Sequence, residues 1–375
     1  MAELGRRKFL GAVGAAGIGT IVTARAAGAE TAGRGGGVVF VGSYTSSPPA
    51  GHGLDVASRS GAALRLERTV PSVPDASWFA LSANRSVLYA TNELVPDGAV
   101  TALSLRAPAN PRVLNTQPSK GSAPTHLSVH PSGRYLLTAN YGSGSVVVHP
   151  IRQDGSLAEV SDLAQHTGAE RDAHAHQVVT DPSGRWVLAV DLGADSVYVY
   201  RLDLGTGKLT KHEQVVLPSG AGPRHLAFHP GGRVAYVLGE LRAEVTVAAW
   251  DAARGKLTLG EVVPTVDANA PVPSYPGEIA VSPDGGFVYA SNRGEDTIAT
   301  FAVRDSGRAI SRVGNVATGG VWPRHFTLDP SGRWIYVSNQ RSGTVNWLPR
   351  DPKTGLPGRS QGSLAVPSVA TVLFR

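Results

Sequence analysis

Histidines, arginines and glutamates recur at matching places along the chain, and their company points to acid–base work on a polar or anionic small molecule. The motifs are Pro124-Thr125-His126, His174-Ala175-His176, Pro223-Arg224-His225 and Pro323-Arg324-His325, with Pro276-Gly277-Glu278 in the same setting. A second series closes the apolar run that follows each motif: Asn92, Asn140, Asp191, Glu240, Asn292 and Asn339. Two positions in this series depart from the rest. Glu240 stands where sister segments carry Asn, and Arg293 follows Asn292 where its sisters have Tyr141 and Gln340. Imidazoles and carboxylates can take and return a proton near neutral pH, and a guanidinium offers paired donors to a carboxylate, a phosphate or a developing oxyanion. The histidines also admit an architectural reading, in which each satisfies a hydrogen bond at a strand start. His174 and His176 are two residues apart, so on a regular strand they point to one side.

The elements that must position these residues form an array. Five segments carry a turn of the form Pro-x-Gly, with prolines at 131, 182, 230, 283 and 330, spaced by 51, 48, 53 and 47 residues. A sixth copy has Ala83 in place of the proline, 48 residues before Pro131. A fixed period near fifty marks a repeat architecture. Within 125–160 the pattern reads as strand (Thr125 to His130), Pro-Ser-Gly turn, strand (Tyr135 to Asn140), Gly-Ser-Gly turn, strand (Val146 to Ile151), Gln-Asp-Gly turn and a last strand near Leu157. Four antiparallel strands per unit make a propeller blade. Val38 to Thr45 and Leu364 to Phe374 are left over at the two ends, and together they complete a seventh blade. The expected fold is therefore all-β, a seven-bladed β-propeller of four-stranded antiparallel blades over 38–375, closed by pairing of its N- and C-terminal strands. Because the first two strands of a blade are antiparallel, the first strand's start and the second strand's end share an edge. Both series of polar residues then ring one face of the molecule.

Composition agrees with many short strands and tight turns: 45 Gly, 26 Pro and 17% charged residues. The absence of cysteine excludes thiolate catalysis, and no G-x-S-x-G elbow supplies a serine nucleophile. Neither an H-x-x-x-H zinc spacing nor an Asp/Gly calcium loop occurs, so no metal or other cofactor is expected. The net charge of +6 is spread along the chain without a basic run, which fits a small anionic ligand and not nucleic acid.

Residues 1–29 read as an export signal. Gly5-Arg6-Arg7-Lys8-Phe9-Leu10 resembles the twin-arginine (Tat) motif, an apolar stretch runs from about Gly11 to Thr23, and Ala27-Gly28-Ala29 offers a small-residue cleavage site. The stretch is about 13 residues, short of the ~20 that a membrane span requires, so no stable membrane anchor is expected. A flexible linker over 30–37 follows. The Tat translocase is the implied partner in export, and the destination is periplasmic or extracellular.

Val41-Gly42-Ser43-Tyr44-Thr45, Ala139-Asn140-Tyr141-Gly142-Ser143, His174-Ala175-His176, Gly222-Pro223-Arg224-His225 and Gly239-Glu240-Leu241 resemble segments of the lactonase propellers. This family includes 6-phosphogluconolactonases and the carboxymuconate lactonizing enzyme. The resemblance implies a lactone-opening hydrolase with His176, Arg224, Glu240 and Arg293 as catalytic residues. His126, His174, His225, Arg324 and His325 are then the groups expected to bind substrate. Glu240 or His176 would activate water, and the two arginines would hold an anionic group and the oxyanion. The same residues suit a muconate-type cycloisomerase, and the fold alone also suits a non-catalytic binding propeller of the cell envelope. The expected substrate is a small anionic compound or a sugar lactone, and an export signal argues for one met outside the cytoplasm.

Overall fold

The computed structural model describes residues 37–375; the expected signal peptide and nearly all of the expected linker lie outside the described residues. Each fifty-residue unit folds into one four-stranded antiparallel sheet whose three inner strands are buried nearly throughout and whose outermost strand alternates between packed and outward residues; the described residues form seven such sheets. Blade 3 is representative, with strands Pro124–Val129, Tyr135–Asn140, Ser145–Pro150 and Asp162–Gln165 in that order. Its last strand starts five residues beyond Leu157, which makes only an isolated bridge to Ile151. The Asn115 side chain instead receives the Leu157 N–H and donates to its carbonyl, drawing this segment onto blade 2.

Blade 1 closes the ring. The C-terminal strand Val369–Phe374 pairs with Val38–Ser43, which continues into Leu54–Ser60 and Ala63–Val70. The C-terminal leftover is thus divided. Ser363–Ala365 is the outermost strand of blade 7, and only Val369–Phe374 crosses to blade 1. The first strands of successive blades touch one another in a complete cycle, which makes them the innermost strands.

Seven apolar clusters hold the ring together, each spanning two neighbouring blades. Trp186, Leu188 and Val199 of blade 4, for instance, pack on Leu226, Val237 and Trp250 of blade 5. Tyrosines lock the same interfaces. Tyr89, Tyr236, Tyr289 and Tyr336, each the third residue of its strand, donate their hydroxyls to the carbonyls of Gly155, Gly307, Gly355 and Ala62 in the next blade's hairpin turn. Gly355 illustrates why such a turn needs glycine. Its φ is +73°, and a Cβ there would meet the Phe287 ring at 2.2 Å.

Candidate active site

One distortion, repeated round the ring, builds the site. In five blades the innermost strand carries a β-bulge at its start, between Pro124 and His126, Ala175 and Gln177, Pro223 and His225, Pro276 and Ile279, and Pro323 and His325. A bulge breaks the two-residue alternation and re-aims a side chain. The bulged residues include Thr125, His176, Arg224 and Arg324, and Thr125, His176, Arg224 and Arg324 line the narrow space at the centre with Ser77 and Trp78. The residue after each bulge faces the neighbouring blade. His126 Nδ1 accepts the Val178 N–H (3.4 Å), the Gln177 side-chain Oε1 accepts the Leu226 N–H (2.8 Å), and His325 Nδ1 accepts the Val372 N–H (3.4 Å). His126 and His325 are therefore blade-to-blade fasteners. Burial holds both below the ordinary histidine range, His325 at about 4.

Trp78 occupies the same register position in blade 2 and lies across the channel. Its indole centre is 4.4 Å from the ring of His126, 5.3 Å from His225 and 5.2 Å from His325, three residues on three blades. It forms the floor of a cup.

The walls come from the residue just after each second strand, and here the pairing corrects the sequence alignment. Gly239, not Glu240, sits opposite Pro223 as Asn140 sits opposite Pro124. Glu240 therefore matches Tyr141, and by the same count Glu93 and Tyr44. The Asn positions are architectural. Asn92, Asn140 and Asn292 donate to the carbonyls of Pro74, Ser119 and Thr265, tying down adjacent loops.

Three arginines meet in the cup. Glu240 Oε2 lies 3.1 Å from Arg224 Nε and 2.8 Å from Arg293 Nη2. Arg293 also donates from Nε to the Tyr275 carbonyl (2.7 Å) and from Nη2 to that of Pro276 (3.3 Å). Trp322 stands against it, its ring centre 5.4 Å from the guanidinium carbon. The Trp322 backbone has φ +67° and its N–H is held by Asp296 at 2.7 Å. Across the cup, Arg324 Nη2 is 3.5 Å from Glu93 Oε2, which accepts the Tyr44 hydroxyl at 2.7 Å.

Arg224 is the least satisfied of the three. It is 2% exposed, its contact with Glu240 is an ion pair without hydrogen-bond alignment, and both Nε and Nη1 are buried with no acceptor. Burial, and after it the charges of Arg293 and Arg324, push its pKa down, yet a guanidinium keeps its proton at neutral pH. Buried donors without acceptors are rare, and this one fits a ligand oxygen.

Beneath the arginines runs a buried chain of imidazoles. His176 Nδ1 is 3.2 Å from His225 Nε2, and His225 Nδ1 is 2.9 Å from Glu278 Oε1. Burial first, then the charge of Arg224, holds both histidines well below their ordinary pKa, so both are neutral near pH 7. Burial pushes Glu278 up. His174 lies elsewhere. It precedes the strand Ala175–Thr180, stacks on Tyr141 with ring centres 4.5 Å apart, and bonds the Tyr141 carbonyl through Nδ1 (2.9 Å). The bulge that follows it undoes the expected common face with His176.

The structure thus brings together His176, Arg224, Glu240, Arg293, His225 and Arg324, with His325 lining the same central space from a blade seam; it places His126 at a seam and leaves His174 at the edge. Glu93, Tyr44 and Trp78 belong to the cup although the spacing argument passed over them. The register position shared with Glu240 or His126 is the signal that finds them.

Fold and cup together define a seven-bladed propeller with a buried, arginine-rich constellation at one end of its innermost strands. The chain belongs to the family described as lactonase, 7-bladed beta-propeller, whose model matches residues 38–374. A 6-phosphogluconolactonase of Bacillus subtilis (strain 168) is 33% identical over 341 residues, covering 89% of this chain and 97% of the relative. Another from Formosa agariphila is 31% identical, covering 84% and 93%. Among solved structures, a periplasmic gluconolactonase of Pseudomonas aeruginosa superposes with a TM-score of 0.83 at 30% identity, covering 90% of this chain and 98% of that one.

Proposed function

We propose that this protein is an exported lactonase that hydrolyses an unphosphorylated sugar lactone in the cup formed by His176, Arg224, Glu240 and Arg293. The observation that carries the reading is the buried, acceptor-free Nη1 of Arg224, a preformed donor for the oxyanion that develops when water adds to a lactone carbonyl. His176, neutral at physiological pH, takes the proton of the attacking water and returns it to the ring oxygen as the ester opens. Glu240 fixes the two guanidiniums between which it sits. Glu93 and Tyr44 offer partners to the substrate's hydroxyl groups.

Charge balance favours a substrate without phosphate. Three guanidiniums face the carboxylates of Glu240 and Glu93, which leaves one positive charge, and an ionised Glu278 below would cancel it. A phosphate dianion would enter a cup with little net charge to meet it. Export through the Tat translocase, read from Arg6 and Arg7, places the enzyme where such lactones are met, and the periplasmic gluconolactonase relative agrees with that location.

The test is a hydrolysis panel on the mature protein with glucono-1,5-lactone and its 6-phosphate. The expected result is turnover of the first with higher kcat/KM than the second, lowered about a hundredfold by Arg224→Ala and by Glu240→Gln. Absence of lactone turnover overturns the lactonase reading, and preference for the phosphate overturns the substrate assignment. Undiminished export of a reporter after Arg6 and Arg7 are both changed to Lys overturns the route.

A further inference from the structure

A histidine base needs a bare nitrogen aimed at its substrate, and a neutral imidazole has one bare nitrogen and one N–H. Which is which depends on what holds the other side of the ring. Here the far side of His176 leads through His225 to Glu278, and the direction of donation along that chain can be worked out from its buried end.

Glu278 Oε1 already accepts the Ile279 backbone N–H at 2.9 Å. Its other oxygen, Oε2, is buried with no hydrogen-bond partner, and the nearest titratable group to it is His325 Nε2 at 3.8 Å. If the carboxyl carries a proton, that proton belongs on Oε2, and Oε1 stays an acceptor. In either protonation state His225 must therefore donate its Nδ1–H to Oε1 across the 2.9 Å contact. A neutral His225 is then bare at Nε2, and across 3.2 Å it accepts the Nδ1–H of His176. His176 is left bare at Nε2, which makes no hydrogen bond to the described residues. Other charged or titratable groups facing His225 are Arg224, Arg324 and Arg293, which disfavour a second proton on it, and the ring of His126, whose centre is 5.5 Å away. The Trp78 ring stands nearly perpendicular to that of His225, with centres 5.3 Å apart.

We propose that Glu278 and His225 are positioning residues that hold His176 as its Nδ1–H tautomer, so that Nε2 is the base presented to the reacting water. The catalytic consequence rests on the lactonase reading above; the tautomer does not. As water loses a proton to His176 Nε2, its oxygen bonds to the lactone carbonyl carbon and the carbonyl π-electrons move onto oxygen beside Arg224. Collapse of that intermediate breaks the bond to the ring oxygen, which receives the same proton from Nε2. During the interval His176 is a largely buried imidazolium. His225 Nε2 accepts from its Nδ1–H, and the Glu278 carboxylate lies next along the chain, as a carboxylate stabilises the imidazolium of a catalytic triad without taking its proton.

Ring nitrogens of protein labelled with ¹⁵N-histidine report the tautomer directly, with His176→Gln used to assign the resonances. The expected result at pH 7 is a protonated Nδ1 and a bare Nε2 on both His176 and His225. A His176 that is Nε2–H, or that averages the two forms, overturns the proposal, whether or not any lactone is hydrolysed. In kinetics, His225→Phe removes the acceptor and is expected to lower kcat about a hundredfold with KM nearly unchanged. Glu278→Gln keeps a carbonyl oxygen for Ile279 and His225 but loses the charge, so it keeps the His176 tautomer while lowering kcat. A His225→Phe enzyme that folds and changes KM alone overturns the positioning role.

Discussion

Arg293 shows how much one side chain can be asked to do. Its guanidinium reaches the Tyr275 and Pro276 carbonyls and Glu240, with Trp322 beside it, so four neighbours fix its plane. A lysine keeps the charge but presents a single ammonium that cannot serve both the backbone carbonyls and Glu240 in the same geometry. Arg293→Lys is expected to lower kcat/KM by roughly ten- to a hundredfold and stability by about 1–2 kcal/mol, through carbonyls left without donors. Steady-state kinetics and urea titration of the one variant measure both. Retention of full activity would mean that the charge of Arg293 matters and its fork does not.

At the scale of strands and turns, the blade seams carry the repeat. The Tyr236 hydroxyl donates to Gly307 O at 2.9 Å from the far edge of blade 5, well away from the cup. Tyr236→Phe removes only that bond and leaves a buried carbonyl unpaired, so a loss of about 1 kcal/mol with unchanged kcat is expected. A fall in kcat without loss of stability would show that this seam communicates with the site. The same strands explain what could be read from residues alone. Pro-x-Gly turns at a fifty-residue period are local signals, and they yielded the blades, their strand order and the shared edge of the polar residues. The bulges left no such mark. A bulge adds one residue to one strand of a pair, which spacing along a single chain does not record. That is why the spacing predicts His174 beside His176. Glu240 is a different case: it stands ten residues after its turn proline, as Tyr141 does and Asn140 does not, so its partner is legible in the sequence itself. Glu93 stands at the same distance from Ala83, so the spacing marks it too, whereas Tyr44 belongs to the one blade whose inner pair of strands comes from the two chain ends and has no such turn to count from.

Across the whole molecule, five buried histidines share an unusual state. His126, His149, His176, His225 and His325 are all buried, and burial holds each of them below the ordinary histidine range, His149 and His325 at about 4. In the unfolded chain these groups take up protons near pH 6.5. Between that value and the folded pKa the unfolded state binds more protons than the native one, so stability rises with pH. The full stability is present above about pH 6.5 and is lost as pH falls toward 4. His149 and His325 contribute about 2 kcal/mol each to the loss by pH 5, before most carboxylates titrate. Urea midpoints are therefore expected to be level from pH 8 to 7 and to fall steadily from pH 6.5 to 5. His149 bonds the Pro118 carbonyl through Nε2 at 3.1 Å, while its buried Nδ1 has no partner. His149→Gln keeps a donor for that carbonyl and removes a titrating group, so the decline in its midpoint below pH 6.5 should be shallower than in the wild type. Midpoints that stay level down to pH 5 in both proteins would mean that these rings take up protons in the native state as readily as in the unfolded chain, and that burial does not depress them.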